Sequence, residues 1–313
     1  MLARTAEALF WLARYMERAD YLARLLQVAA HMSAVRVDTA RGSEWESAII
    51  ASGCHEPYFA RHEDASAEGV VDYLAFDREN PSSIVNCIET ARRNARAVRT
   101  ALTSDMWDAV NGSWLELRGF NPIGIDEDRL NTFLDWVKAR TSLFHGVYAN
   151  TMLRRDGFYF TRIGEFLERA DNTARLLDVK YHVRLPNVGD VGGLVDYYQW
   201  LAILRVVGAR RAYRVLFSGR VEPSCVAELL ILRPEFPRSL VFCFEKITSN
   251  LDAIASQKPA LSAESKRLAH SQYAELRFGR TKAIVDAGLH EYLSEVVERC
   301  AQLGTEIARG HLF

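Results

Sequence analysis

Residues 17–28 read ERADYLARLLQV and residues 168–179 read ERADNTARLLDV, matching at nine of twelve positions across a separation of 151 residues. Four shared residues are charged: Glu17, Arg18, Asp20 and Arg24 recur as Glu168, Arg169, Asp171 and Arg175. Charges drift freely on a solvated helix face, so their joint recurrence implies a constraint. Around the first copy, apolar or small residues at 9, 12, 16, 19, 23, 26 and 30 follow helical spacing. Phe10, Trp11, Tyr21, Leu25 and Val28 cover much of the opposite side. A helix apolar nearly all round belongs inside a protein, so the recurring charges form either a repeated buried ion network or a site built from two equivalent helices.

Working outward, a helix is expected over residues 5–36, then an irregular excursion of short helices over 42–80. Asn80-Pro81 reads as a cap followed by Pro at the first position of a helix running from Ile84 to Leu102. Further helices are expected over Met106–Leu117, Asp126–Tyr148 and Phe158–Val183, with a break at Gly119–Gly124 and another at Leu185–Gly189. Val195–Val207, Ala209–Phe217, runs after Glu222-Pro223 and Phe236-Pro237, Ser262–Gly279 and Lys282–Ala308 complete the chain. No stretch alternates as a strand does. The reading is an all-α, multi-helix bundle with an internal pseudo-repeat of the ER-motif helix. It is taken as a single domain over 1–313, with 1–150 and 151–313 as pseudo-repeated halves. Glu89, Ala91, Ala95 and Arg96 repeat the same spacing and raise a third copy; Glu298-Arg299 echoes the dipeptide alone.

The 313 residues, 49% hydrophobic and 25% charged, have a net charge of −1. That balance supplies no basic field for nucleic acid or an anionic membrane. No apolar run approaches the roughly 18 residues of a membrane span, and the N-terminal stretch, with Arg4, Glu7 and Arg14, lacks a signal-peptide core. A cytoplasmic protein is expected. Five cysteines form neither a CxxC nor an even disulfide framework, and Cys87, Cys243 and Cys300 read as small core residues.

At roughly 100° per residue, Glu17, Asp20 and Arg24 share one sector of the helix, as do Glu168, Asp171 and Arg175. Asp20–Arg24 and Asp171–Arg175 can pair within their helices at i,i+4. Glu17 and Glu168 have Tyr21 and Asn172 at that spacing, so their partners must come from another helix. Arg14, Arg18, Arg162 and Arg169 are the candidate donors. Two readings stand side by side. Either each Glu lies buried against Arg and fixes helix register, or the pair lines a polar cleft. In the second reading Glu17 or Glu168 acts as general acid/base, and Arg14, Arg18, Asp20, Arg24, Arg169, Asp171 and Arg175 bind a ligand.

Other chemistry is sparse. A di-iron bundle uses Glu-x-x-His, whereas both copies have Glu-x-x-Asp. Cys54-His55-Glu56 with His62 lacks the paired spacing of a structural zinc site. His182, four residues after Asp178, reads as a surface or capping contact. Nucleotide loops and the GxSxG elbow are absent, so neither cofactor nor metal is expected. Tyr197-Tyr198-Gln199-Trp200 reads as packing, and Arg205, Arg210, Arg211 and Arg214 as a solvated or partner-docking face.

Together the ER helices, Asn80-Pro81-Ser82-Ser83-Ile84, Phe236-Pro237-Arg238-Ser239-Leu240, Trp11–Arg18 and Ala91–Arg99 resemble the bacterial alpha-E family over essentially the whole chain. Members are all-helical and are named for a Glu-Arg motif. The resemblance implies an accessory, non-catalytic role beside an ATP-grasp-type amide ligase and a transglutaminase-like cysteine peptidase, in peptide synthesis or protein modification. Such a subunit would bind a peptide or protein substrate or scaffold the ligase. The alternative is an amide hydrolase or transferase in its own right. Glu165 stands where the family-like pattern has Arg, as Arg14 is in the first copy, which counts against two-fold equivalence of any bound anion.

Overall fold

The computed structural model describes residues 1–34, 43–120, 126–182, 193–256 and 263–311. Their regular structure is all helical, with no strand among them. The first ER copy lies in α1 (Ala3–Ala34). The excursion that follows holds α2 (Ser43–Ser52), α3 (His55–Phe59) and α4 (Ala67–Val71), which passes into a π-helical turn at Asp72–Phe76. Next come α5 (Ile84–Ala97), α6 (Ser104–Leu117), α7 (Glu127–Thr151) and α8 (Asp156–His182), which carries the second ER copy. The remainder comprises α9 (Leu194–Val206), α10 (Arg210–Leu216), α11 (Pro223–Ile231), α12 (Leu240–Ala255), α13 (Ala263–Phe278), α14 (Thr281–Ala287) and α15 (Leu289–His311).

Local chemistry sets these boundaries. Thr103, Asp126 and Ser239 accept the backbone N–H three residues on, capping α6, α7 and α12. Four sequence expectations need correction. The cap of α5 is Ser83, whose hydroxyl accepts the Asn86 amide, and Pro81 lies in the preceding turn. Asn80 ties that turn down, donating to the Tyr73 carbonyl at 2.9 Å and accepting from the Ser82 amide at 3.0 Å. The helix ends at Ala97, not Leu102, and passes into a 3₁₀ turn at Arg99–Ala101. The expected Lys282–Ala308 helix is two helices, because Gly288 adopts φ 103°, a conformation that favours glycine. The third-copy reading also fails on its charges. Ala91 and Ala95 are buried against α1, but Glu89 is exposed and pairs with Arg78, and Arg96 points to solvent. Val35, Arg36, Val183 and the break at Leu185–Gly189 lie outside the described residues, as do the side chain of His182 and most of the Gly119–Gly124 break.

The core is organised on α1 and α8. Leu9 lies near Gly157, Phe10 near Gly164, and Arg14 and Arg18 reach Glu168, so residue numbers rise together and the two helices run in the same direction. On α1, α7 runs the opposite way: Lys138 meets Gln27, Thr141 meets Asp20 and His145 meets Glu17. On α8, both α12 and α15 run opposite, with Phe242 against Phe166, Gly304 against Leu167 and His290 on Asp178. Leu9, Leu12, Ala13, Met16, Leu25 and Leu26 are wholly buried, as the two-sided apolar pattern requires. Cys87, Cys243 and Cys300 sit in the same interior, where burial pushes the Cys87 and Cys243 thiols up to about 12.

Close approach of α1 and α8 depends on Gly164. A methyl group there would lie 3.0 Å from the Phe10 carbonyl carbon and closer still to its oxygen. The obstacle is helix backbone, which cannot rotate away as a side chain could. Gly164→Ala is therefore expected to destabilise the fold by roughly 1–3 kcal/mol, the cost of overpacking a close-packed core. Denaturant unfolding checks this, and a midpoint equal to that of the parent would refute it.

Candidate functional site

The parallel run of α1 and α8 brings the two ER copies to the same level, where they exchange partners. Arg18 Nε donates to Glu168 Oε1 at 2.6 Å, and Arg14 Nε donates to Oε2 at 2.6 Å. In return, Arg169 forms a two-pronged pair with Glu17, Nε to Oε1 at 2.9 Å and Nη2 to Oε2 at 2.8 Å. Both Glu side chains are buried, exposed by only 1–2%. The cross-helix partners expected of Glu17 and Glu168 are present, and Asp20–Arg24 (2.7 Å) and Asp171–Arg175 (2.8 Å) pair within their own helices.

The two ER copies are not equivalent in their surroundings. In the second copy Glu165 occupies the position that Arg14 has in the first, and it takes Arg169 Nη2 at 2.7 Å and Arg162 Nη1 at 3.2 Å. Arg162 therefore serves Glu165 and neither ER glutamate. The guanidinium missing from Glu17 comes from Arg238, which reaches Glu17 Oε1 at 3.0 Å and Asp20 Oδ2 at 2.8 Å. Arg238 is aimed by the capped start of α12 and by Thr173, whose hydroxyl donates to the Arg238 carbonyl at 3.0 Å. From α7, Tyr148 donates to Glu165 and Thr141 to Asp20. His145 stands between two carboxylates, Nε2 3.1 Å from Glu17 and Nδ1 3.7 Å from Glu165, with neither nitrogen aimed along a hydrogen bond.

Sequence reasoning missed Arg238, His145 and Tyr148 as members of the network. Arg238 had a signal, since the Phe-Pro-Arg-Ser stretch stood out as a motif. His145 and Tyr148 had none, because only packing brings α7 to this level.

Electrostatics follow from these contacts. Burial alone would raise Glu168, but Arg18 and Arg14 overcome it and hold the carboxyl down at about 2. Burial likewise opposes ionisation of Glu17, and Arg169 and Arg238 reverse it, leaving Glu17 well below the carboxylate range. Asp20 is lowered by Arg238 and Arg24 against its burial. Asp171 goes the other way: burial raises it, and Arg175 does not fully compensate. Arg162 is pushed down to about 10 by burial and by the neighbouring Arg169 and Arg154.

Among the described residues, Glu17, His145 and Glu165 are the His/carboxylate group whose ligand atoms converge, within 4.8 Å. Arg169 Nη2 already lies between Glu17 Oε2 and Glu165 Oε1, at 2.8 and 2.7 Å. A metal ion would have to displace a guanidinium bound to three carboxylate oxygens. The Cys54–His62 region makes no such group; His62 stacks on Tyr58 at 4.2 Å.

A family model, described as a predicted alpha-helical domain with a conserved ER motif, matches residues 1–312. The chain belongs to the Alpha-E family. An uncharacterized protein of Mycobacterium bovis is similar to this Alpha-E chain, 25% identical over 319 residues that cover 95% of the chain and 35% of that protein. Two uncharacterized proteins of Mycobacterium tuberculosis, 25% and 24% identical, match over equal spans. The Alpha-E chain thus spans about a third of the length of the curated relatives it matches. No solved structure matches it. Among the described residues no helix is long and apolar enough to cross a membrane.

Replacing Glu168 tests the network. Removing one member of a buried ion pair costs roughly 3–5 kcal/mol, so Glu168→Gln is expected to lower the melting temperature sharply at neutral pH. The pH dependence has a definite sign. As pH falls, the unfolded chain takes up this proton near the ordinary value of 4.5, before the folded one does near 2. The contribution is therefore complete above about pH 5 and lost progressively toward pH 2, about 3 kcal/mol in all. Melts across that window should fall steeply for the parent and less steeply for Glu168→Gln. Equal melts at neutral pH would remove the structural account.

Proposed function

We propose that this Alpha-E chain is a non-catalytic, accessory component of a cytoplasmic peptide-synthesis or protein-modification system. It binds substrate or scaffolds an ATP-grasp-type amide ligase, alongside a transglutaminase-like cysteine peptidase. The ligase supplies nucleotide chemistry. The observation that carries this reading is the saturation of both ER carboxylates: every oxygen of Glu17 and Glu168 accepts from a guanidinium. A general base works best with a pKa near the operating pH and a free lone pair. Glu168, held at about 2, meets neither condition. The rival reading, amide hydrolysis or transfer through Glu17 or Glu168, requires that arrangement to be dismantled first.

A partner face also favours an accessory role. From Leu201 to Val221 the chain has five arginines and no acidic residue. Arg205, Arg210, Arg211 and Arg214 are exposed on α9 and α10 beside Val215, which is 77% exposed. Arginine with neighbouring apolar surface is the composition enriched at protein interfaces, and its fork pairs carboxylates in two prongs.

Affinity purification of the tagged chain from its native host, with mass spectrometry, is expected to recover an ATP-grasp-type ligase in stoichiometric amount. The triple change Arg210→Glu, Arg211→Glu and Arg214→Glu should reduce that recovery at least about tenfold, roughly the 1.4 kcal/mol scale of a modest interface charge effect, without lowering the melting temperature. Purified chain should leave peptides uncleaved. Recovery of the chain alone, together with peptide turnover that a folded Glu168→Gln abolishes, would establish the enzyme reading instead.

A further inference from the structure

The two ER copies differ in how fully their second arginine is engaged. On α1, Arg24 gives Nε and Nη2 to Asp20 and Nη1 to the Val206 carbonyl. On α8, Arg175 gives only Nε, to Asp171 at 2.8 Å. Its two Nη groups have no hydrogen-bond acceptor among the described residues, although the side chain is only 30% exposed. That guanidinium lines a cavity of about 220 Å³ between α2, α8 and α15. Asp178, bonded to His290 at 2.7 Å, and the exposed Glu298 bring carboxylates to the same space. Ile50, Leu293 and Val297 supply an apolar wall.

We propose that this cavity binds a small α-amino acid with an aliphatic side chain. Its carboxylate pairs with the Nη groups of Arg175, its ammonium faces Asp178 and Glu298, and its side chain lies on Ile50, Leu293 and Val297. The charge pattern selects this class. A simple anion would satisfy Arg175 but meet two carboxylates, and a simple amine would leave the guanidinium unpaired. A peptide end offers only one of the two charges. The volume lies below the roughly 300–1,000 Å³ of pockets for drug-sized ligands, as suits a small ligand. The inference goes beyond the peptide or protein substrate of the reading above and assigns the chain a separate site for a free amino acid.

Titration calorimetry of the whole chain, without partners, tests it with L-valine and L-leucine. Isovalerate and isobutylamine serve as half-ligands, each lacking one charge. The amino acids are expected to bind at least about tenfold more tightly than either half-ligand, and Arg175→Gln to lose at least about tenfold in affinity for them. Because Arg175 also neutralises buried Asp171, two further variants guard against misfolding. Glu298→Gln should weaken the amino acids while isovalerate binds at least as tightly as to the parent, and Ser294→Leu, which fills the cavity, should abolish both. Absence of heat at millimolar amino acid, affinity unaltered in folded variants, or isovalerate binding as tightly as L-leucine would each overturn the proposal. Since no partner protein is present, failure here is separate from failure to co-purify a ligase.

Discussion

The exchange of guanidinium groups between α1 and α8 is the constraint to which the other helices adjust. A carboxylate exposed by 1–2% cannot remain ionised without compensation, since removing such an ion from water costs several kcal/mol even after relaxation. Each ER glutamate receives at least two guanidinium groups. Because the helices run in the same direction, Glu17 faces Arg169 and Glu168 faces Arg18, and one sequence motif supplies both halves of the exchange. The magnitudes separate two roles. Each fully buried Leu or Phe contributes about 1.5–3 kcal/mol, and there are many in this core, so apolar burial supplies the stability. The ion network governs which arrangement is allowed: sliding one helix by a turn, about 5.4 Å, would leave buried charges without partners.

Neighbouring elements are placed where this exchange needs them. Gly164 lets the backbones approach closely enough for Arg18 and Arg169 to cross. At Gly304 a methyl group would lie 3.4 Å from the Arg14 guanidinium, so α15 packs over the network from the far side. The capped start of α12 delivers Arg238 to the carboxylates that Glu165 leaves under-compensated. Glu165 then has its own demand, met by Arg162 and by the Tyr148 hydroxyl. One acidic residue where the first copy has arginine thus accounts for much of the difference between the surroundings of Glu17 and Glu168.

Local chemistry made much of this legible in the sequence. The two-sided apolar pattern identified α1 as interior, and the absence of a basic residue four positions after either Glu required partners on another helix. What sequence could not supply were facts of packing. His145 and Tyr148 lie in a helix with no motif of its own. Glu89 shared the spacing of the repeat yet sits on the surface, because spacing defines a face and only tertiary contact decides whether that face is buried. The misplaced cap at Asn80 has a local cause: Asn80 and Ser83 are both good cap residues three positions apart, and Asn80 is engaged in fixing the turn before the helix. The join at Gly288 was hidden because an isolated glycine within a helical pattern is usually tolerated.

The inequality of the copies also bears on where function can reside. Around Glu17 and Asp20 every carboxylate oxygen is engaged, Arg24 is anchored to backbone, and any ligand must displace a guanidinium held in several places. Around Asp171 compensation is incomplete: burial holds that carboxyl above its ordinary range, and its single partner Arg175 keeps donors turned toward open space. A protein whose fold depends on satisfied buried charge can accept a charged ligand most cheaply where satisfaction is already partial. Binding at Arg175 would pair its remaining guanidinium donors without breaking the exchange that aligns α1 and α8. The exchange between the two copies is therefore suited to maintaining register, and the space beside Arg175 to recognition.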